Sequence, residues 1–591
     1  MRSLGFDVRA ATDAAEAAEL LAAVPASQRV ALVDPRFVGH VHALRLGLTD
    51  PRFAAATVPG ALTAQPGARA ALLRALRGAV GAVGAESPVA SPVPEPLAED
   101  RTVPGRLAVA LDAEGTAVQR PELGSLTAAV PTGPEERGAA QAAVAAVDDE
   151  AVRLRSAVKA HDGFFTTYFI SPYSRYIARW CARRGLTPNQ VTTASLITAL
   201  IAAGSAATGT RGGYVAAGVL LLLSFVLDCT DGQLARYSLQ YSTMGAWLDA
   251  TFDRAKEYAY YAGLALGAAR GGDDVWVLAL GAMVLQACRH VVDFSFNEAN
   301  HDAVSNTSPT AALSDRLDSV GWTVWLRRMI VLPIGERWAM IAVLTALTTP
   351  RIVFYALLVG CALAACYTTA GRLLRSLTRK AQRTDRAAGA LADLADSGPL
   401  AQAVAAVVRR PGGGFTAPLL AFAGALVLIA AALFTPYGSW LTVGAAAVYA
   451  VVSGLAVSRP LKGALDWLVP PVFRAAEYCT VLVLAARSDV PHAVPAAFGL
   501  VSAVAYHHYD TVYRIRGGTG APPRWLVRTI GGHEGRTLVV AVLAAVLTGA
   551  SALTTALTAL AAAVALVVLV ESIRFWVSSS APAVHDEGEL A

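Results

Sequence analysis

From residue 190 onward the chain is a succession of apolar stretches, most of them long enough to cross a bilayer, and this limits its fold more than any other feature. A helix needs about 20 apolar residues to span the hydrocarbon core, where every backbone amide must bond within its own segment. Six such stretches lie near 190–209, 213–231, 245–269, 275–292, 329–348 and 351–374. Six more, several of them marginal in length, lie near 415–434, 440–457, 472–486, 494–505, 537–549 and 553–570. With 55% hydrophobic and 16% charged residues among 591, the expected fold is an all-α polytopic membrane protein behind a small soluble α/β domain.

The net charge of +5 does not point to nucleic acid, because the basic residues cluster beside apolar stretches, where they meet anionic lipid. Arg175, Arg179, Arg183 and Arg184 form one cluster; Arg372, Arg375, Arg379, Lys380, Arg383 and Arg386 form another; alternate loops hold only Arg211, Arg270 and Arg351. The positive-inside rule then puts both ends of the first six-helix set on the cytosolic side. The first residues carry acids where a secretory signal would be apolar, so the N-terminus is expected to stay there too. Six cysteines without CxxC spacing give neither a zinc site nor a disulfide framework.

The expected domains are a soluble one at 1–150, a juxtamembrane amphipathic helix at 151–189, a six-helix unit at 190–376, a hydrophilic linker at 377–414, a second membrane module at 415–575 and a polar tail at 576–591. In the first, RVALV at 29–33 reads as a strand, DPRF at 34–37 and again at 50–53 as turns, SPVASPVPEP at 87–96 as a linker, 106–112 as a strand and 135–160 as one long helix. Between 162 and 186, aromatics alternate with arginines at a helical spacing, as in a helix lying on the cytosolic leaflet. The competing reading is a helix packed on the soluble domain.

The chemistry concentrates at 228–253, DCTDGQLARYSLQYSTMGAWLDATFD, at the junction of two apolar stretches. An aspartate at the centre of a membrane helix costs about 2.5–3.5 kcal/mol on insertion scales, so four need a shared partner. Asp228 and Asp231 project from one face of the first helix, and Asp249 and Asp253 from one face of the next. Carboxylates alone suit Mg²⁺ or Mn²⁺, and four of them admit two ions. Gly232 and Gly245 lack a Cβ and leave room for a bulky ligand, Ala235 keeps the neighbouring wall low, and Arg236 has the fork that grips phosphate.

The spacing D-x2-D-G-x2-A-R-x8-G-x3-D-x3-D, complete at Asp228, Asp231, Gly232, Ala235, Arg236, Gly245, Asp249 and Asp253, resembles that of the CDP-alcohol phosphatidyltransferase family. The resemblance covers about 162–375 and implies that CMP leaves a CDP-linked donor as an alcohol hydroxyl attacks. It implies that the four aspartates hold the metals, with Asp253 also the base, and that Gly232, Ala235 and Arg236 meet the nucleotide. TPNQVT at 187–192 is similar to the family's entry to its first membrane helix, with Asn189 beside the nucleotide or simply in a helix start. DGFFTTYFISPYSRYIARW is similar to the stretch before that helix in di-myo-inositol-phosphate-phosphate synthases, which use CDP-inositol and inositol phosphate. That branch often carries a cytidylyltransferase domain, but residues 1–150 hold no Gly-rich phosphate loop, so the front domain is expected to be non-catalytic or degenerate. The implied partners are thus a CDP-alcohol donor, an alcohol or inositol-phosphate acceptor, membrane lipids and, as is frequent in the family, a second copy.

Arg254, Lys256, Arg289 and His290 are candidates for an anionic acceptor, against the commoner role of boundary cations that reach lipid phosphate. Glu257 pairs with a neighbouring cation or meets a metal. RAKEY at 254–258 returns as RAAEY at 474–478, Arg289-His290 before Asp293 as His507-His508 before Asp510, and IGERW at 334 as IGGHEGR at 530. These echoes give a degenerate repeat in which Val469 and Phe473 replace Asp249 and Asp253, so the second half is expected to lack the metals. The rival to an enzyme is a silent membrane scaffold or transporter, which has no reason to bind CMP.

Overall fold

Length and apolarity dictate long helices, and a computed structural model places them close to the apolar stretches. It is described for residues 1–26, 28–50, 53–83, 102–159, 162–301, 331–378, 383–408, 414–547, 549 and 551–578. The linker at 87–96 and the tail beyond 578 lie outside these.

The front domain pairs strands β1 (Val30–Val33), β3 (Ala55–Val58), β4 (Ala61–Ala64) and β5 (Val118–Gln119) in the order β1-β4-β3-β5, with only β3-β5 parallel. A two-stranded ribbon, β2 (Val38–Gly39) with β6 (Ala128–Ala129), lies apart. Around them lie α1 (Ala14–Ala23), α2 (Val41–Leu48), α3 (Arg69–Val83) and α4 (Val103–Ala113). The first DPRF is a turn: Asp34 accepts from the Arg36 amide at 2.9 Å and pairs with its guanidinium.

Two expectations fail here. Residues 106–112 are not a strand but part of α4, because Thr102 caps the Gly105 amide and burying Pro104, Leu107, Ala108 and Leu111 follows the helical period. Residues 135–160 are not one helix but α5 (Pro134–Ala145) and α6 (Asp149–Ser156), because Asp148 caps the Ala151 amide and starts the second afresh.

A π-helical turn (Thr166–Ile170) leads into α7 (Ser171–Arg183). Its buried edge packs on the bundle, where Ser174 Oγ meets Gln233 Oε1 at 2.8 Å, while Tyr173, Tyr176 and Trp180 stay exposed. The six helices that follow are α8 (Pro188–Ala207), α9 (Arg211–Ser238), α10 (Thr243–Arg270), α11 (Trp276–Asn300), α12 (Ile334–Leu347) and α13 (Pro350–Thr378). Short helices α14 (Asp385–Leu394) and α15 (Pro399–Val407) lead to α16 (Thr416–Phe434), α17 (Trp440–Ala456), α18 (Val469–Arg487), α19 (Ala493–Arg516), α20 (Arg524–Thr529), α21 (Gly532–Val546) and α22 (Ala552–Ser578).

Seven helices among the described residues are long and apolar enough to cross a membrane. Helix α10 has the length but carries Asp249, Asp253, Arg254, Lys256 and Glu257, and α12 is 14 residues long. The chain is an all-α polytopic membrane protein with a small α/β part in front. One apolar core runs through both helical modules.

Candidate active site

Two helix ends build the site. Helix α9 stops where Leu239 turns left-handed (φ 54°), and Ser242, the last residue of the loop, starts the next helix by accepting from the Gly245 amide at 2.9 Å. The reversal sets α10 against α8, which also packs on α9, and Asp249 and Asp253 come to Asp228. One carboxylate oxygen from each of these three lies within 4.8 Å of the others. Asp231 is also buried, and its Oδ2 has no hydrogen-bond partner. An acceptor-only oxygen sealed from water lacks compensation, and a divalent cation supplies it, so the residues fit such an ion.

In the protein alone, the compensating cation is Lys256. Its Nζ pairs with Asp228, lies 2.8 Å from Asp253 Oδ1 and 3.2 Å from Ser195 Oγ, and its side chain is 1% exposed. Ser195, at 0% exposure, also bonds to the Ser224 carbonyl at 2.8 Å and thereby ties α8 to α9. Its place in the site was missed from sequence, where the one signal was a hydroxyl inside an apolar stretch.

Beside the carboxylates, Asn189 comes to Gly245, where a Cβ would stand 2.7 Å from Asn189 Oδ1 and 2.8 Å from Ser242 Oγ. The start of α8 that presents Asn189 is a capping box between Thr187 and Gln190 with Pro188 in the first turn. Gly232 faces the Arg236 guanidinium, and Ala235 is buried on the same helix. Arg236 Nε donates to the Ala157 carbonyl at 2.6 Å, which brings the end of the front domain to the site. Arg153 and Arg45 donate to the Tyr237 and Ser238 carbonyls at 3.3 Å and 3.1 Å, filling acceptors that the end of α9 leaves open.

The remaining cations turn inward. Arg254 pairs with Glu257 at 2.6 Å and lies 4.8 Å over the Tyr509 ring, while Arg337 reaches the same Glu257 oxygen at 3.4 Å. Glu257 therefore joins cations, and its other oxygen accepts from Tyr261 at 2.7 Å. Arg289 donates to the Val331 carbonyl, and His290 bonds to Tyr509 and lies 3.0 Å from Gln286. Of the four acceptor candidates, Lys256 alone is seen among the carboxylates.

Residues 185–365, which contain all these motif positions, match the model of the CDP-alcohol phosphatidyltransferase family. They form a CDP-alcohol phosphatidyltransferase domain. Over 154 residues the chain is 29% identical to the phosphatidylinositol phosphate synthase of Streptomyces avermitilis, covering 26% of this chain and 59% of the relative. It is 30% identical to the archaetidylinositol phosphate synthase of Pyrococcus horikoshii, covering 19% of this chain and 58% of the relative. It is 31% identical to the bifunctional IPC transferase and DIPP synthase of Aquifex aeolicus, covering 21% and 29%. The chain thus spans about three fifths of the length of the first two relatives. Behind the phosphatidyltransferase domain, residues 385–591 match a second model, described as a family of unknown function (DUF5941).

Proposed function

We propose that the phosphatidyltransferase domain transfers a substituted phosphate from a CDP-alcohol to an acceptor hydroxyl and releases CMP. The observation that carries this is the convergence of Asp228, Asp249 and Asp253 within 4.8 Å inside a complete motif. Two relatives are named as inositol phosphate synthases, which supports an inositol phosphate as acceptor; the motif resemblance supports CDP-diacylglycerol or CDP-inositol as donor.

Asp228, Asp231, Asp249 and Asp253 would hold one or two Mg²⁺ or Mn²⁺ ions. Such ions, when bound, draw negative charge from the pyrophosphate as its bond to CMP breaks. Asp253 takes the acceptor proton, the acceptor oxygen bonds to the phosphorus that bears the donor alcohol, and CMP departs with the bridging oxygen. Gly232, Ala235, Asn189 and Gly245 shape the nucleotide seat, and Arg236 reaches the pyrophosphate once it gives up the Ala157 carbonyl. Lys256 holds Asp228 and Asp253 in place until cation and substrate arrive. The site faces the cytosol, the side of the basic clusters.

The test is CMP release by the purified full chain with CDP-diacylglycerol or CDP-inositol, inositol phosphate and Mg²⁺ or Mn²⁺, beside Asp253→Asn. Metal-dependent release that the variant lacks is the expected result. Folded protein that neither releases CMP from any donor nor binds it by calorimetry would overturn the reading.

A further inference from the structure

The rear module, residues 385–578, repeats much of the front bundle's packing. Arg254–Glu257–Arg337 has its counterpart in Arg474–Glu477–Arg536, with Arg474 2.7 Å and Arg536 2.5 Å from Glu477. Glu336 accepts from the Phe165 amide at 3.3 Å before α7; Glu534 accepts from the Gly398 and Ala401 amides, each at 3.0 Å, where α15 begins. Most of the packing order also returns: α17 on α15, α16 and α21, α18 on α16 and α19, and α22 on α19 and α21 match α9 on α7, α8 and α12, α10 on α8 and α11, and α13 on α11 and α12, whereas the packing of α15 and α18 on α21 has no comparable counterpart in front.

The two bundles meet through equivalent faces. Helix α11 packs on α18, α10 on α19, and α11 on α19. The cavity between α11 and α19 is lined by Tyr478 of α18 and by four corresponding pairs: Ala287 and Ala505, His290 and His508, Val291 and Tyr509, Phe294 and Val512. Each pair is offset by the same number of residues, as on a two-fold axis where position i faces its own equivalent. Away from the axis the contacts reciprocate as well. Trp247 of α10 stacks on Trp576 of α22, and Trp467, which precedes α18, bonds to Ser376 of α13 at 2.9 Å.

Where the front bundle has its carboxylates, the rear one has rings. Phe473 takes the place of Asp253 in the repeat and stacks on His533 with centroids 4.2 Å apart, while Tyr449 bonds to His533 Nδ1 at 2.8 Å. All three are buried.

We propose that the rear module is a second, plugged copy of the bundle, held in cis on the face that a second subunit would use. The protein is then a self-contained pseudo-dimer in a single chain, whose one carboxylate cluster among the described residues lies in the front half. This stands on packing alone and survives or falls apart from the reaction proposed above. The test is the native mass of the full chain in nanodiscs, with Ala287→Cys/Ala505→Cys oxidised in parallel and its disulfides mapped by peptide mass. The expected results are one chain of 61.3 kDa and a 287–505 bond within it. A two-chain mass, a bond between positions 287 and 505 of different chains, or a folded double variant that does not oxidise would overturn the proposal. The wild-type mass decides should the variant fail to fold.

Discussion

Lys256 is the residue on which the state of the carboxylates turns. Buried and paired with Asp228 and Asp253, it neutralises charge that would otherwise sit uncompensated in the bundle. Removing one partner of a buried pair costs about 3–5 kcal/mol. Lys256→Met should therefore lower the melting temperature in EDTA by several degrees, and Mn²⁺ should restore more of it than it adds to the wild type; scanning fluorimetry reads both. Asp253→Asn removes the proposed base while keeping shape, and kcat for CMP release should fall by about two to four orders of magnitude. At Gly245 the effect is steric. Gly245→Ala drives a methyl against Asn189 and Ser242, so calorimetry should show weaker CMP binding and unfolding should cost about 1–3 kcal/mol less.

Between elements, the front domain is fastened to the end of α9 by Arg45, Arg153 and the Ala157 carbonyl. Helix α2 carries both Arg45 and His42, whose ring nitrogens are buried without partners. Burial depresses the His42 imidazole from its ordinary 6.5 to about 4, with Arg153, Arg45 and His40 pushing the same way and Asp149 opposing. The unfolded chain then binds a proton that the folded one refuses, so stability present above pH 6.5 is lost as pH falls toward 4. Hydrogen exchange of peptides from 41–48 in the full chain should quicken across that window, and His42→Leu should flatten the response. The long apolar helices of both modules were legible in the sequence because crossing lipid leaves little freedom of length or composition, whereas α14 and α15 stand where a hydrophilic linker was expected. The strand expected at 106–112 was not, because an alternating RLAVALD also satisfies a helix once Thr102 caps it. The motif aspartates could be named from spacing, but the Ser195 and Lys256 contacts arise only when three helices meet.

For the molecule as a whole, the two Arg–Glu–Arg triads predict unequal sensitivities. Arg536 bridges Glu477 and Asp396, and Arg474 also reaches Asp396, so the rear network ties α18, α21 and the second residue after α14 into one unit. Arg536→Leu leaves two buried carboxylates short of a cation and should cost about 3–5 kcal/mol. Arg337→Leu leaves Glu257 its Arg254 partner, 2.6 Å away, and should cost less; denaturation of the two variants in one detergent compares them. The stacked rings of the rear module carry a last consequence. They need no ion to be at rest, whereas the front carboxylates lean on one lysine. Starved of divalent cations or heated, the chain should begin to come apart at α9 and α10 while the rear half still stands, and proteases would trim it from the front.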